Sequence, residues 1–530
     1  MVEGRRVEIA ELVENQKFGR YQLVTLILCF LILFIDGLDY SAANVGAPAI
    51  IRAFGVERSA MGMVFGWGNF GILCGSLLFG YIGDRYGRKV GAITGVLTYS
   101  LPALAIYFTG SIEHLMVLRF FAGLGIGGVI PNTIALLTET APKKFRSSFV
   151  MLCFIGYSAG TAAIAQIAAW LIPTHGWTVV FLTAGSVGTL LGLFLLYALP
   201  ESIRWVGLHQ PGSARLHAMI ARFAPDRGFG PETAFYLHQP MQGEKFRVAQ
   251  LFAGNLKWVT TLLWLGYFAE SLTFMTFLSW LGVILEGAGL APQEASLAFS
   301  YAAIGGVCAL LVLSRFLDKF GPMATVIPAL CAVALLIYLG AIAGSSALVV
   351  TSVAVLAMAC CQGTHNSFNG TVGGFYPTQI RAKGVGYASG FGRFALVLGP
   401  VIAGFLLSAH LPIAKLMYVV AAPIWSCRSS ASGWGGFIAS GSPPVKQPSP
   451  RFMTFRRRTA QCRWRRDSKD GKGGAAIAPH RLSSQGASVG WVCVPPQPRR
   501  DGGAARYAAR RGRNRLRGSP RALRGGASRR

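Results

Sequence analysis

The chain has 530 residues, of which 52 % are hydrophobic and only 13 % charged, and its mean hydropathy is +0.47. Soluble proteins carry roughly 25 % charged residues. The low charge and the long apolar runs exclude a soluble multidomain enzyme and a disordered protein as the main body, which reads as a membrane protein. The formal net charge of +29 is unevenly placed. Residues 426–530 hold 24 Lys and Arg against 3 Asp, whereas residues 1–425 hold 26 basic and 18 acidic residues, a net of +8. The body is therefore only mildly basic, and no nucleic-acid partner is expected for it. The ten cysteines are scattered through apolar runs, without metal-ligand spacing or a disulfide framework, and read as buried small hydrophobes. No metal and no cofactor are expected.

Residues 1–20 form a charged N-terminal segment that no signal-peptide cleavage site follows. A hydrocarbon core about 30 Å thick needs about 20 mostly apolar residues per helix. Qualifying runs lie near 22–45, 60–81, 91–110, 115–138, 148–172 and 178–199. After a polar gap they resume at 258–284, 295–316, 323–343, 347–373 and 384–408, with a short run at 412–425. The predicted organisation is an N-terminal six-helix half (21–200), a central loop (201–257) and a second half (258–425) whose twelfth helix reads as truncated. A tail rich in Arg, Gly, Ser and Pro (426–530) follows. Basic residues gather in the N-terminus, the central loop and alternate short loops, which places these on the cytoplasmic side of a cell (inner) membrane.

The two halves repeat. Gly71, Gly75, Asp84, Arg85 and Gly87 recur, degenerately, as Gly305, Ala309, Asp318, Lys319 and Gly321 at a constant offset of 234 residues. The same offset carries Asp36 onto Glu270. Repeated halves around a site near the midplane are a common plan of secondary transporters.

Gly80, Gly83, Asp84, Arg85, Gly87, Arg88 and Lys89 match the Gly-x-x-x-Asp-Arg-x-Gly-Arg-Arg/Lys signature of the major facilitator superfamily, which the chain resembles. Arg119 with Gly123, Gly125 and Gly127, and Pro200-Glu201-Ser202, resemble two further stretches of it. Asp36-Gly37-Leu38-Asp39, Pro131-Asn132, Glu139, Arg146, Gly176-Trp177, Arg381 and Gly392-Arg393 resemble its aromatic acid/proton symporter group. Gln166 departs from that group, which more often has a small residue there. The resemblance implies an all-α, twelve-helix bundle of two six-helix halves that works by alternating access and imports a small organic acid with protons. No enzyme is implied, and a monomer in the lipid bilayer is expected. The alternatives are a proton-coupled carrier of a sugar or an aliphatic carboxylate, or a transporter-like sensor or inactive relic.

Several residues stand out by their chemistry. Asp36 and Asp39, spaced i and i+3, share one face of an apolar helix. Carboxylates there are costly unless paired, solvated or protonated, and two side by side do not both ionise easily. That suits a group which loads a proton on one side and releases it on the other; a packing ion pair is the plainer reading. Glu270 is the repeat-related third acid, read for coupling or as a hydrogen-bonded core group. Arg393, about 13 Å into its helix at 1.5 Å per residue, is the candidate for the substrate's carboxylate, because its planar fork stays charged; the plain reading is a permanent ion pair. Arg119 is linked by the resemblance to energy coupling, or else snorkels to the interface. Gln362, His365 and Asn366 make the tenth helix unusually polar, and such residues are expected to line the cavity or the bundle. Asp84, Arg88, Glu139 and Arg146 lie at cytoplasmic helix ends, as a charge network that latches one conformation, and Gly80, Arg85, Gly87 and Arg381 are read with them as the conformational gate. The tail carries 21 Arg, 3 Lys and no Glu. That bias is what a shifted reading frame would produce in a G+C-rich gene; a genuine Arg-rich tail binding anionic lipid or nucleic acid is the competing reading.

Overall fold

The computed structural model describes residues 6–230, 232–237, 246–254, 256–320, 325–377 and 379–424, without the side chains of 310, 313–320, 370 and 373. The reading of 426–530 as a tail, and the repeat positions Asp318, Lys319 and Gly321, lie outside the described residues and side chains.

In chain order the elements are β1 (Arg6–Glu8), α1 (Ile9–Glu14), α2 (Arg20–Phe54), α3 (Arg58–Tyr86), α4 (Arg88–Ile106), α5 (Ile112–Thr140), α6 (Arg146–His175) and α7 (Thr178–Ala198). Then come α8 (Ile203–His209), α9 (Ala214–Phe223), β2 (Ala234–Tyr236), α10 (Leu256–Gly287), α11 (Pro292–Phe320), α12 (Val326–Ala341), α13 (Ala347–Thr371), α14 (Arg381–Ser408) and α15 (Ile413–Ile424). Among the described residues nine helices, α2–α7, α10, α13 and α14, are long and apolar enough to cross a membrane, and α12 and α15 are shorter apolar helices. The helices outrun the apolar runs that announce them. The first, expected over 22–45, extends to Phe54 and ends where Gly55 turns left-handed at φ 60°. Apolar composition marks the part in hydrocarbon, whereas the backbone ladder continues until a residue breaks it.

Small residues set the spacing of the helices. Lipid tails are as apolar as leucine, so helices associate in a membrane by close packing rather than by burial from water. At Gly71 of α3 and Gly123 of α5 an added Cβ would run into the facing backbone, at the Phe120 and Gly68 carbonyl oxygens respectively. The two helices meet backbone to backbone there. Between α3 and α4, Gly87 adopts φ 115°, a conformation that side chains disfavour, and this reverses the chain within one residue.

One continuous core runs through both halves, from Leu26, Ile32 and Tyr99 to Phe277, Trp280 and Leu416. The halves meet along α3 with α14, α6 with α11, and α2 with α10. A second core lies beyond the N-terminal ends of α2 and α4. There Ile9, Leu12 and Val13 pack with Ile203, Val206, Leu216, Ile220 and Phe223, and β1 pairs in parallel with β2, Arg6 opposite Ala234. The N-terminal segment and the central loop, expected as separate polar stretches, thus share a core. The cysteine reading needs correction as well: Cys29, Cys153 and Cys361 are buried, but Cys308 and Cys331 are exposed. The outer face of a membrane bundle is itself apolar, so a small hydrophobe is at home there too.

Candidate functional site

The residues picked out for their chemistry fall into three groups. In the first half, Arg119 of α5 is buried, 5 % exposed, and its Nη1 lies 3.4 Å from Asp39 Oδ2 of α2. This corrects the snorkelling alternative: seven residues into its helix, Arg119 is drawn inward by a buried carboxylate. Asp36 behaves differently from Asp39. It is fully buried, and neither carboxylate oxygen meets a hydrogen-bond donor among the described residues. The aspartates share a helix face without sharing a partner. Beside this pair Tyr40, Asn44, Asn69 and Ser279 line a narrow cavity that reaches Arg119 and has room for about one water molecule.

The second group lies in the other half. His365 Nδ1 on α13 is 2.9 Å and 3.1 Å from the two carboxylate oxygens of Glu270 on α10. The imidazole stacks on Phe274, ring centroids 5.0 Å apart, and stands edge-on to Tyr267. Tyr267 hydrogen-bonds to Asn369, and Gly392 of α14, the neighbour of Arg393, packs against its ring. Arg393 of α14 is half-buried, and among the described residues no carboxylate lies within 4.0 Å of its guanidinium. The permanent ion pair is therefore absent from this conformation. Gln362 sits apart from the cluster, donating to Ser158 of α6 at 3.5 Å, and Asn366 is half-buried.

The third group, expected as one charge network, divides. Arg88 joins Asp84 at 2.5 Å and Glu139 at 3.5 Å, and Glu139 accepts from Ser202. Arg146 instead pairs with Glu14 of the N-terminal segment at 3.7 Å, a partner that only the tertiary structure brings near. Arg85 is exposed, and Arg381 donates to the Tyr376 carbonyl at 3.4 Å rather than to a carboxylate. Nothing lies within 4 Å of a Cβ placed on Gly80, so that glycine is not needed for packing in this conformation, whereas Gly87 abuts Glu201. The Glu201 carboxylate accepts the backbone N–H groups of Ser202 at 2.8 Å and Lys89 at 3.1 Å, capping the start of α4. Burial raises its pKa above the usual carboxylate value, with those backbone donors pulling the other way.

Two polar contacts join the halves, one through Asn69, which was not singled out from the sequence, and one through Gln166, noted there only as a departure from the resembled group. Gln166 donates to Ser300 at 3.1 Å, and Asn69 donates to the Leu396 carbonyl at 2.7 Å, both across the two halves. Each is a polar side chain within an apolar run, and that was the available signal. Toward the end of the bundle away from the N-terminus, Arg52 pairs with Glu286, the Ser59 N–H donates to Ser408, and Phe65 packs edge-on against Trp280. Of the aromatic side chains on these helices, Tyr40, Tyr267, Phe274 and Trp280 are buried, while Trp67 and Tyr301 are exposed.

Comparison with known proteins agrees with this arrangement. The profile described as Major Facilitator Superfamily matches residues 29–372 and 263–425. The chain is 31 % identical over 447 residues to the gallate transporter of Pseudomonas putida, covering 83 % of this chain and 98 % of that one. It is 32 % identical over 404 residues to the 4-hydroxybenzoate transporter PcaK of Pseudomonas aeruginosa, covering 76 % and 90 %. The fold is similar to that of the xylose transporter XylE from E. coli in its inward open conformation, with a TM-score of 0.58 at 15 % identity over 76 % of this chain and 96 % of that one. The chain belongs to the Major Facilitator Superfamily, a family of membrane transporters rather than enzymes.

Proposed function

We propose that the protein is a secondary active transporter that imports a small organic anion, an aromatic carboxylate, together with protons by alternating access. The observation that carries this reading is Arg393: a half-buried guanidinium with no carboxylate within 4.0 Å among the described residues, next to Gly392, which packs against the Tyr267 ring. An arginine fork left open in this way suits a bidentate carboxylate, and the ring suits an aromatic body. The names of the gallate and 4-hydroxybenzoate relatives favour the same substrate class.

In this reading the bundle has twelve spans in two halves, with α11, α12 and α15 completing the set, and works as a monomer. The N-terminus and central loop face the cytoplasm. The Arg52–Glu286, Ser59–Ser408 and Phe65–Trp280 contacts then close the outer end, and the Asp84–Arg88–Glu139 cluster acts at the inner end. Asp36, Asp39 and Arg119 serve coupling in the first half. The test is uptake of radiolabelled 4-hydroxybenzoate and benzoate into cells producing the full chain, with and without a protonophore. Saturable uptake abolished by the protonophore is the expected result. Absence of uptake with the protein present in the membrane, or uptake indifferent to the protonophore, overturns the reading.

A further inference from the structure

At the end of the bundle away from the N-terminus the two halves are joined in layers. Arg52–Glu286 and Ser59–Ser408 lie at the rim, and Phe65 meets Trp280 about 10 Å further in, at 1.5 Å per helical residue. The ring pair of Phe54 and Trp177 sets the end of α6 beside the end of α2, so α6 reaches the same rim. Beneath these contacts, about 12–14 Å from the rim, α6 grips one side chain of α11. The hydroxyl of Ser300, fully buried, donates to the Ala162 carbonyl at 3.1 Å and accepts from the Gln166 amide at 3.1 Å. Ala162 and Gln166 stand one helical turn apart, so both reach the same oxygen. On the opposite interface Asn69 of α3 donates to the Leu396 carbonyl of α14 at 2.7 Å, where Gly62 and Gly404 let the two backbones close.

We propose that Ser300, held by Gln166 and the Ala162 carbonyl, is the bolt of the outer gate: these two bonds must break for substrate to enter from outside, and Gln166 sets how far the resting protein leans toward the closed state. That this end is the outer one rests on the carrier reading given above; that the clasp holds this end shut does not.

The rim and the interior contribute differently. The Arg52–Glu286 pair is open to solvent, which screens it. Ser300 is sealed from solvent in this conformation, and its one donor and one acceptor site are both taken by α6 only while the halves are together. Opening separates the Ala162 carbonyl, the Ser300 hydroxyl and the Gln166 amide in one movement. Water entering the gap takes up the three groups, which is why the clasp can break within a transport cycle. Exchange for water leaves a preference of about threefold for each interhelical bond, so the two together favour closure by about tenfold.

The experiment uses the full chain in lipid nanodiscs and reads hydrogen–deuterium exchange by mass spectrometry at both ends of the bundle. Gln166→Met keeps the side-chain length and removes one bond; Ser300→Ala removes both. Each should speed exchange in residues 160–175 and 292–303 and slow it in residues 82–90 at the other end, because alternating access closes one end as it opens the other. The apparent affinity for a substrate scales with the fraction of protein open to it, so the half-saturation concentration for external 4-hydroxybenzoate should fall about threefold in Gln166→Met and about tenfold in Ser300→Ala. The double variant should match Ser300→Ala, since the Gln166 bond is already lost there. Should Gln166→Met fail to accumulate as folded protein, Gln166→Asn, one methylene too short, removes the same bond. Exchange that rises at both ends, or at neither, overturns the proposal, as does a double variant whose effects multiply. A wild type that takes up no aromatic acid overturns the carrier reading, and the opposed exchange at the two ends still decides the clasp.

Discussion

Arg52 at the end of α2 and Glu286 at the end of α10 stand 234 residues apart, the spacing of the internal repeat, and they form an ion pair across the two halves. Repeat-related positions of unlike charge meet where the halves meet. The same spacing relates Asp36 to Glu270, yet those two acids stay in their own halves with different surroundings.

Arg52 is 52 % exposed and Glu286 18 %, so their attraction is screened by solvent and contributes about 0–1 kcal/mol. Arg52→Ala or Glu286→Gln should favour opening at this end and lower the half-saturation concentration for externally added substrate by no more than about fivefold. The exchanged pair Arg52→Glu with Glu286→Arg should restore the wild-type value. Uptake kinetics in the three variants check this.

The Arg119–Asp39 pair is buried, and breaking it is a different matter. Asp39→Asn leaves a guanidinium in the core without its counter-charge and should destabilise the fold by about 3–5 kcal/mol. Asp39→Asn combined with Arg119→Gln removes both charges and should recover most of that loss without recovering transport. Thermal unfolding in detergent, followed by uptake, separates the two effects.

Gly71 and Gly123 are needed because the α3 and α5 backbones touch, whereas Gly80 has nothing within 4 Å of an added Cβ. Gly123→Val should abolish a monodisperse folded protein. Gly80→Ala should leave the yield and melting temperature of the folded protein close to wild type although it alters a signature residue. Size-exclusion profiles of the detergent-extracted variants decide.

Glu201 lies in the connection after α7, and burial holds its pKa above the ordinary 4.5. A carboxyl group with a raised folded pKa contributes stability below its unfolded pKa. That contribution is lost as pH rises through the folded value. Glu201→Gln should remove this loss, so the difference in melting temperature between variant and wild type should shift in the variant's favour from about pH 4.5 upward. Melting scans across that window test the sign.

Ile9 and Leu12 are buried in the small core shared by the N-terminal segment and the central loop. Leu12→Ala should cost that unit about 2–5 kcal/mol and expose the central loop to protease while leaving the membrane helices intact. Limited proteolysis read by mass spectrometry checks it.

Much of the architecture could be read from one dimension. Helices in hydrocarbon must satisfy their own backbone, so each span leaves a contiguous apolar run, although the helices extend beyond the limits of those runs. The cost of an ionisable group in that environment made Asp36, Asp39, Glu270 and Arg393 visible as exceptions. Partners were another matter. Nothing local distinguishes Asp39, paired with Arg119, from Asp36, three residues away and without a partner among the described residues. Nor could spacing show that His365 would engage Glu270 across α10 and α13, or that Arg146 would pair with Glu14 rather than with the signature carboxylates.

The sequence by itself determined the solvent in which this chain folds, the helical plan, the repeat and the chemical types available for a site, because each is written in residue identity and in short-range spacing. Only the tertiary structure decided which charges cancel and which stay open. Charge pairing depends on distances between helices that are far apart along the chain, and those distances are set by where glycines let backbones touch.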